Sequence, residues 1–103
     1  MPKGYWIAFV DVSNAEAYTN YVQENAAPFA KYNGRFIVRS GTAEHPEGAL
    51  RSRTVVIEFP NYQAALACWN SPEYAKAKSL RVGAGLADIV IADGYDGPQP
   101  RHH

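Results

Sequence analysis

Four charged residues stand within or beside runs of apolar, strand-forming residues: Arg39, Arg53, Glu58 and Asp88. Burying an unpaired charge costs several kcal/mol, so these groups form ion pairs, reach solvent at strand ends, or line a polar pocket. The residue pattern leaves these alternatives open. In the pocket alternative, the site would suit a small carboxylate or enolate, with Arg39 holding the anion and Glu58 as general base. Arg53 and Asp88 would then contact the ligand.

Four aromatic residues on predicted helices are further candidates for ligand binding. Their rings bury apolar area while their polar tips can position a ligand. Aromatic residues at helical spacing also commonly belong to a hydrophobic core, and both interpretations stay open. The four are Tyr18, Tyr21, Trp69 and Tyr74.

Other residues with chemical potential favour structural roles. Cys68 lies in an apolar segment with no histidine close in sequence, which indicates a buried, inert thiol. His45 is predicted in a loop, without further ligands at a metal-binding spacing. Gly83 and Gly85 follow a predicted helix and not a strand, so they indicate a helix stop and not a dinucleotide motif. We therefore expect no metal site and no tightly bound cofactor.

Size and composition restrict the function further. The 103 residues suit a single domain, predicted at 1–98, followed by a tail at 99–103. Ten Lys plus Arg balance ten Asp plus Glu, which disfavours nucleic acid and anionic membranes as partners. The single cysteine and the lack of a signal-like start predict a cytoplasmic location. The final Arg101-His102-His103 is either native sequence or part of a tag, and is not interpreted as a metal site.

Strand-like runs rich in β-branched and aromatic residues alternate with helical patterns in the order β-α-β-β-α-β. The first helix begins at a Ser13-x-x-Glu16 capping box, is expected to kink or restart at Pro28, and ends at Asn33-Gly34. The strands are predicted at 4–12, 35–40, 53–59 and 86–92, and the second helical region at 62–69 with a new start at Ser71-Pro72-Glu73.

Both faces of the predicted sheet are apolar. In the first strand, Tyr5, Ile7 and Phe9 alternate with the equally apolar Trp6 and Ala8. Right-handed crossovers place both helical regions on one side of the sheet and leave the other side bare. Exposing five or so large apolar side chains there would forfeit roughly 7–15 kcal/mol. The sequence therefore predicts a homodimer through the open sheet face.

The register of the central hairpin decides which charges meet. If Val38 pairs with Val55, then Arg39 lies opposite Thr54, and Arg35 lies opposite Glu58 on the same face. A slip of one residue would change every partner.

The strings GYWIAFVDV, PFAKYNGRFIVRSG, SRTVVIEFPNYQAALACWNSPEYAKAK and ADIVIADGYDG resemble a bacterial family known as domain of unknown function 1330. The resemblance covers about residues 2–98. It implies an α+β, ferredoxin-like fold of the dimeric α/β-barrel type, with helices on one face of a four-stranded antiparallel sheet. It implies no particular reaction, because related barrel families include cofactor-free monooxygenases, muconolactone-isomerase-like enzymes and haem-dependent members. Asn33 and Ser40 stand where the resemblance leads us to expect glycine.

Two functions follow as hypotheses. The first is a small enzyme that acts on a small organic substrate in the sheet–helix cleft. The second is a non-catalytic dimer that binds a small ligand or serves in protein interactions. They are distinguished by whether Arg39, Glu58 and Tyr74 converge on a cavity of ~300 Å³ or more.

Overall fold

A computed structural model describes residues 2–100, and the interpretation of Arg101, His102 and His103 lies outside the described residues. The predicted order of elements is confirmed, with the second helical region divided into two helices. None of the helices in the described part of the chain is long and apolar enough to cross a membrane. The elements are β1 (Gly4–Val12), α1 (Ala15–Lys31), β2 (Arg35–Arg39), β3 (Arg53–Phe59), α2 (Tyr62–Trp69), α3 (Pro72–Arg81) and β4 (Gly85–Asp93).

The four strands form one antiparallel sheet in the order β2-β3-β1-β4. Along β1, the buried Trp6, Ala8 and Val10 alternate with residues that are only partly buried. The buried set faces the helices, and Trp6 belongs to a core that includes Phe29 of α1 and Tyr74 of α3. All four strands thus share one covered face and one open face, as the ferredoxin-like fold requires.

Capping residues mark the helix starts, and one predicted cap is wrong by one residue. The N-cap of α1 is Asn14, whose Oδ1 accepts a hydrogen bond from the Ala17 amide at 3.1 Å, and not Ser13. The amides of Ser13 and Asn14 both donate to the Ala84 carbonyl, at 2.9 Å and 3.0 Å, which ties the start of α1 to the segment before β4. Of the two alternatives expected at Pro28, a kink or a new start, the new start is wrong, since α1 continues through Pro28 to Lys31. The predicted start of α3 is confirmed, because Ser71 caps it.

A β-bulge interrupts the pairing of β2 with β3. Arg35 lies opposite Glu58 as predicted, but the register shifts by one residue between Phe36 and Val38. Val38 therefore pairs with Val56 and faces the open side, although it lies two positions after Phe36, which faces the helices. Arg39 therefore pairs with Val55, and the predicted pairing with Thr54 is wrong. The extra residue at the bulge turns Arg39 toward the helices, while Glu58 stays on the other face.

Among the described residues, two that are not glycine adopt a left-handed backbone conformation at the ends of elements. Asn33 has φ 60° just after α1, and Ser40 has φ 56° just after β2. These are the positions where the family resemblance leads us to expect glycine, and glycine adopts this conformation without the steric cost that a Cβ imposes.

The open face carries a continuous apolar row across all four strands. Val56 pairs with Val38 on one side and with Ile7 on the other, and Ile7 pairs with Val90. Val38 is 41% exposed and Val90 is 51% exposed. Ion pairs flank this row on both sides. Arg35 pairs with Glu58 on one side, and Arg51 bridges Asp11 and Asp88 on the other.

Candidate functional site

A cleft of about 260 Å³ lies between the covered face of the sheet and helices α1 and α3. Trp6, Phe29 and Ile57 belong both to the core and to the cleft wall. Aliphatic and aromatic side chains make up most of the lining, and polar groups are few. The lining residues are Trp6, Ala8, Val10, Tyr18, Tyr21, Val22, Asn25, Phe29, Phe36, Arg39, Ser40, Arg53, Val55, Ile57, Tyr74, Arg81, Ala87 and Ile89.

Trp6 anchors the inner wall of this cleft. Its ring centroid lies 4.9 Å from that of Tyr74 and 5.1 Å from that of Phe29, both in edge-to-face geometry. Its indole Nε1 donates a hydrogen bond to the Ala65 carbonyl at 2.8 Å, which ties β1 to α2. The wall is thus held from three helices, so the shape of the cleft is set by the core.

Two buried tyrosines meet at the cleft. The hydroxyl oxygens of Tyr21 and Tyr74 are 2.8 Å apart and share a hydrogen bond. Burial is the main cause that raises the pKa of both residues, so both hydroxyls are protonated near neutral pH. One proton serves the bond between them, and the other is available to donate to a third group.

Two buried polar atoms near this pair have no hydrogen-bond partner: Asn25 Oδ1 and Arg81 Nε. Asn25 lies one turn after Tyr21 on the same face of α1. The guanidinium carbon of Arg81 is 5.6 Å from the centroid of the Tyr21 ring. We call Tyr21, Asn25, Tyr74 and Arg81 the inner polar cluster. An unpaired buried polar atom costs about 1–3 kcal/mol, and these two atoms have almost no surface accessible from the cleft.

Three arginines give the cleft a positive charge. Each stacks over or beside an aromatic ring: Arg39 lies 3.9 Å from the Phe36 centroid, Arg53 lies 5.7 Å from that of Tyr18, and Arg81 lies by Tyr21. Within residues 2–100, none of the three forms an ion pair, and the cleft lining contains no carboxylate. An anion would therefore be attracted to this cleft.

The structure brings five of the predicted site residues together at the cleft. Two are the arginines Arg39 and Arg53, which extend from adjacent strands. The three tyrosines Tyr18, Tyr21 and Tyr74 come from α1 and α3.

The other three predicted residues, Glu58, Asp88 and Trp69, do not line the cleft. Glu58 lies on the open face, where it pairs with Arg35 at 3.4 Å and accepts from the Tyr5 hydroxyl at 3.5 Å, so it cannot serve as a base in the cleft. Asp88 is on the same open face, because it pairs across the sheet with Phe9. Trp69 faces a separate shallow groove with Leu66, Ile89 and Ile91.

Asn25 and Arg81 were not predicted as site residues. Asn25 could have been found from the helical spacing that places it one turn from Tyr21. Arg81 had no comparable signal, because a basic residue in the last turn of a helix is expected for electrostatic reasons alone. Its position over Tyr21 depends on how α3 packs against α1.

Cys68 and His45 lie away from the cleft. The Cys68 thiol is buried at 3.7 Å from the Pro28 carbonyl, and burial raises its pKa to about 12. His45 is exposed in the loop between β2 and β3. Across residues 2–100, no group of histidine, cysteine and carboxylate side chains is arranged to hold a metal ion.

The raised pKa values predict a loss of stability in alkali. A group with a folded-state pKa above its unfolded value stabilises the protein below the unfolded pKa, and this contribution falls as pH rises toward the folded pKa. For Cys68 that window runs from about pH 9 to about pH 12, so roughly 1 kcal/mol of the free energy of unfolding is lost by about pH 10. Tyr21 and Tyr74 extend the loss above about pH 10. Urea unfolding at a series of pH values measures how steeply the free energy of unfolding falls as pH rises.

Cys68→Ala should reduce the fall in the free energy of unfolding between about pH 9 and about pH 10, because alanine has no proton to lose. Tyr95→Phe is the control, since Tyr95 is exposed. If the free energy of unfolding fell equally steeply with pH in the unmodified protein and in Cys68→Ala, the assignment of this loss to the buried thiol would be contradicted.

The family model named Domain of unknown function (DUF1330) matches residues 3–95. The chain belongs to this family. No curated protein gives a significant match.

Solved structures share the fold of this DUF1330 protein. RPA0582, a protein of unknown function from Rhodopseudomonas palustris, aligns with a TM-score of 0.72 at 15% identity over 93% of this chain and 85% of its own. SnoaB, a cofactor-independent oxygenase from Streptomyces nogalater, aligns with a TM-score of 0.62 at 13% identity over 97% of both chains. A dimeric protein of unknown function and ferredoxin-like fold from Bacteroides fragilis aligns with a TM-score of 0.52 at 13% identity, over 88% of this chain and 95% of its own. At these identities the likeness establishes the fold alone.

Proposed function

We propose that this DUF1330 protein binds a small organic acid in the sheet–helix cleft. The observation that carries the proposal is the set of three arginines that line an apolar, aromatic cleft without a carboxylate partner in the described residues. The planar guanidinium fork matches a carboxylate, and the aromatic rings beside it hold the arginines in place. The apolar wall accommodates the body of the ligand.

The size of the cleft restricts the ligand to a compact molecule. Its volume of about 260 Å³ is slightly below the ~300 Å³ at which ligand pockets ordinarily begin. A ligand with a single ring or a short unsaturated chain fits this space better than a drug-sized molecule does.

A second candidate is a cofactor-free enzyme that uses the same cleft. The inner polar cluster supports it, since Arg81 and a tyrosine hydroxyl are donors that would stabilise a developing enolate. SnoaB, described as a cofactor-independent oxygenase, shares the fold. The cleft lining in the described chain contains no carboxylate or histidine that would act as a base, so ligand binding is the function that the geometry supports better.

The proposal includes a cytoplasmic homodimer formed through the open face. The apolar row at Val38, Val56, Ile7 and Val90 supports a second copy as the cover, since its centre is apolar and charged pairs flank it. The buried free thiol of Cys68 is consistent with a reducing compartment.

Replacing both Arg39 and Arg53 with glutamine should weaken binding of a carboxylate ligand about 10- to 100-fold, because a charge-assisted hydrogen bond contributes roughly 1.5–3 kcal/mol. The ligand is first found by thermal-shift screening of organic acids against their neutral amides, and its Kd is then measured by calorimetry. Arg35→Gln is the matched control, because Arg35 lies on the same strand as Arg39 but faces the open side. If acids and amides bound equally well, the proposal of an anion site would be rejected.

The same binders separate the two candidate functions. Each is incubated with the protein in air, and the mixture is analysed by mass spectrometry. Product formation that is lost in Tyr74→Phe would favour the enzyme, whereas recovery of the unchanged acid would favour binding alone.

A further inference from the structure

We infer that the acid bound in the cleft is a dicarboxylate, with one carboxylate at Arg39 and the other at Arg53. This inference rests on the proposed function and adds the charge of the ligand and its orientation. It follows from the separate positions of the two guanidinium groups and from the lack of a carboxylate paired with them in the described part of the chain.

The two guanidinium groups are held at different places at the mouth of the cleft, where both arginines are exposed. Arg39 pairs with Val55, so Arg53, two positions before Val55, is its diagonal neighbour on the same face of the sheet. The Arg39 guanidinium lies over the Phe36 ring of β2, 3.9 Å from its centroid. The Arg53 guanidinium lies 5.7 Å from the centroid of the Tyr18 ring of α1. Each guanidinium fork can therefore bind a carboxylate of its own.

Arginines on the two faces of the sheet differ in their partners. On the open face, Arg35 pairs with Glu58, and Arg51 bridges two aspartates. On the cleft face, neither Arg39 nor Arg53 has a carboxylate partner among residues 2–100. A monocarboxylate that fills one fork would leave the other without an anion, whereas a dicarboxylate pairs with both.

The Tyr18 hydroxyl is a further donor beside these arginines. Tyr18 lines the cleft and is partly buried, and burial is the main cause that raises its pKa, so the hydroxyl is protonated near neutral pH. The charges of all three arginines of the cleft also act on this hydroxyl and oppose the rise in its pKa. Because three positive charges act at one point in the cleft, their field favours a ligand with two negative charges over a ligand with one.

The space between the two forks favours a short, planar spacer. The cleft has a volume of about 260 Å³, and Phe36 and Val55 form the part of its wall between the arginines on the strands. An unsaturated chain or a single ring packs well against an aromatic side chain. A carboxylate supplies the second charge in less space than a bulkier phosphate ester needs. The ligand class is therefore a compact unsaturated or aromatic dicarboxylate.

Matched pairs of acids in which a methyl group replaces one carboxylate test the inference. The probes are crotonate with fumarate, meta-toluate with isophthalate, and para-toluate with terephthalate. We expect the dicarboxylate of at least one pair to bind about tenfold more tightly by calorimetry at low salt, because it forms a second set of charge-assisted hydrogen bonds. Added sodium chloride should narrow the difference, since salt screens exposed charges.

Single substitutions test the two positions of the carboxylates. Arg39→Gln and Arg53→Gln should each reduce the affinity for the dicarboxylate to about that of its monoacid. The monoacid should lose only about twofold in either variant, because one of the two forks remains for it. Lys78→Gln is the matched control, since it removes an exposed positive charge on α3 that lies over Trp69, outside the cleft lining. It should leave the Kd of both acids unchanged.

Each outcome bears on a different claim. Equal binding of both members in all three pairs would overturn the dicarboxylate inference and leave the anion site standing. An undiminished preference for the dicarboxylate in both Arg39→Gln and Arg53→Gln would also overturn the inference, because the second carboxylate would then bind elsewhere. Absence of binding by all six acids, together with no response to any acid in the thermal-shift screen, would overturn both the inference and the proposed function. The comparison in the unmodified protein decides the inference even if a variant does not fold.

Discussion

Ile7→Lys is expected to convert the protein from a dimer into a folded monomer. Ile7 lies at the centre of the open face, between Val56 and Val90, and its side chain points away from the helices. A lysine there would place a charge in the middle of the proposed interface, where burial without a partner costs several kcal/mol. Because the monomer core is on the other face, the domain itself should remain folded. Light scattering should give a mass near 11.3 kDa for the variant and about twice that for the unmodified protein.

Val82→Lys serves as the control for added charge. Val82 is 76% exposed and follows α3, outside the sheet. Val82→Lys should leave the dimer intact. Circular dichroism should give the same spectrum for the unmodified protein, Ile7→Lys and Val82→Lys. A monomeric mass for the unmodified protein at micromolar concentration would refute the dimer, and a dimeric Ile7→Lys would place the interface on another surface.

Trp6→Ala is expected to remove about 3–5 kcal/mol from the free energy of unfolding. Trp6 is buried among Phe29, Phe59, Trp69 and Tyr74, and its truncation would leave a cavity beneath all of them. The hydrogen bond to the Ala65 carbonyl would also be lost. A loss of this size is a large part of the stability of a small domain, so the variant should unfold at much lower urea concentration.

Urea unfolding followed by far-ultraviolet circular dichroism measures this effect, because that signal comes mainly from the backbone and not from the tryptophan that is removed. Trp6→Phe should lose less, because phenylalanine keeps much of the ring packing. Tyr95→Ala tests an exposed aromatic residue and should change stability by less than about 1 kcal/mol. An equal, small effect of Trp6→Ala and Tyr95→Ala would contradict the role of Trp6 as the central packing residue.

Much of the fold could be predicted from local sequence. The alternation in β1 identified both the covered and the open face, because side-chain direction alternates with every residue of a strand. The Ser71-Pro72 start of α3 was also predictable, since a hydroxyl cap and a proline in the first turn each act within a few residues. The cap of α1 was missed by one residue because Ser13 and Asn14 are both residue types that cap helices well.

The candidate site was only partly predictable. Tyr18, Tyr21 and Tyr74 could be assigned to the cleft from their helical positions. Arg39 and Glu58 could not be separated, because the strands containing them are both compatible with more than one register. One extra residue at Ile37 turns Arg39 toward the helices, while Glu58 stays on the open face with Arg35.

The amino-acid sequence by itself determined the order of the elements, the two apolar faces of the sheet and the family to which the chain belongs. These properties depend on residue type and short-range periodicity, which are present in the sequence as written. Tertiary structure alone decided which charges share a face, that the three arginines of the cleft have no carboxylate partner among residues 2–100, and that Asn25 and Arg81 meet the tyrosine pair. Those outcomes depend on strand register and on helix packing between distant segments, where a shift of one residue reverses the direction of a side chain.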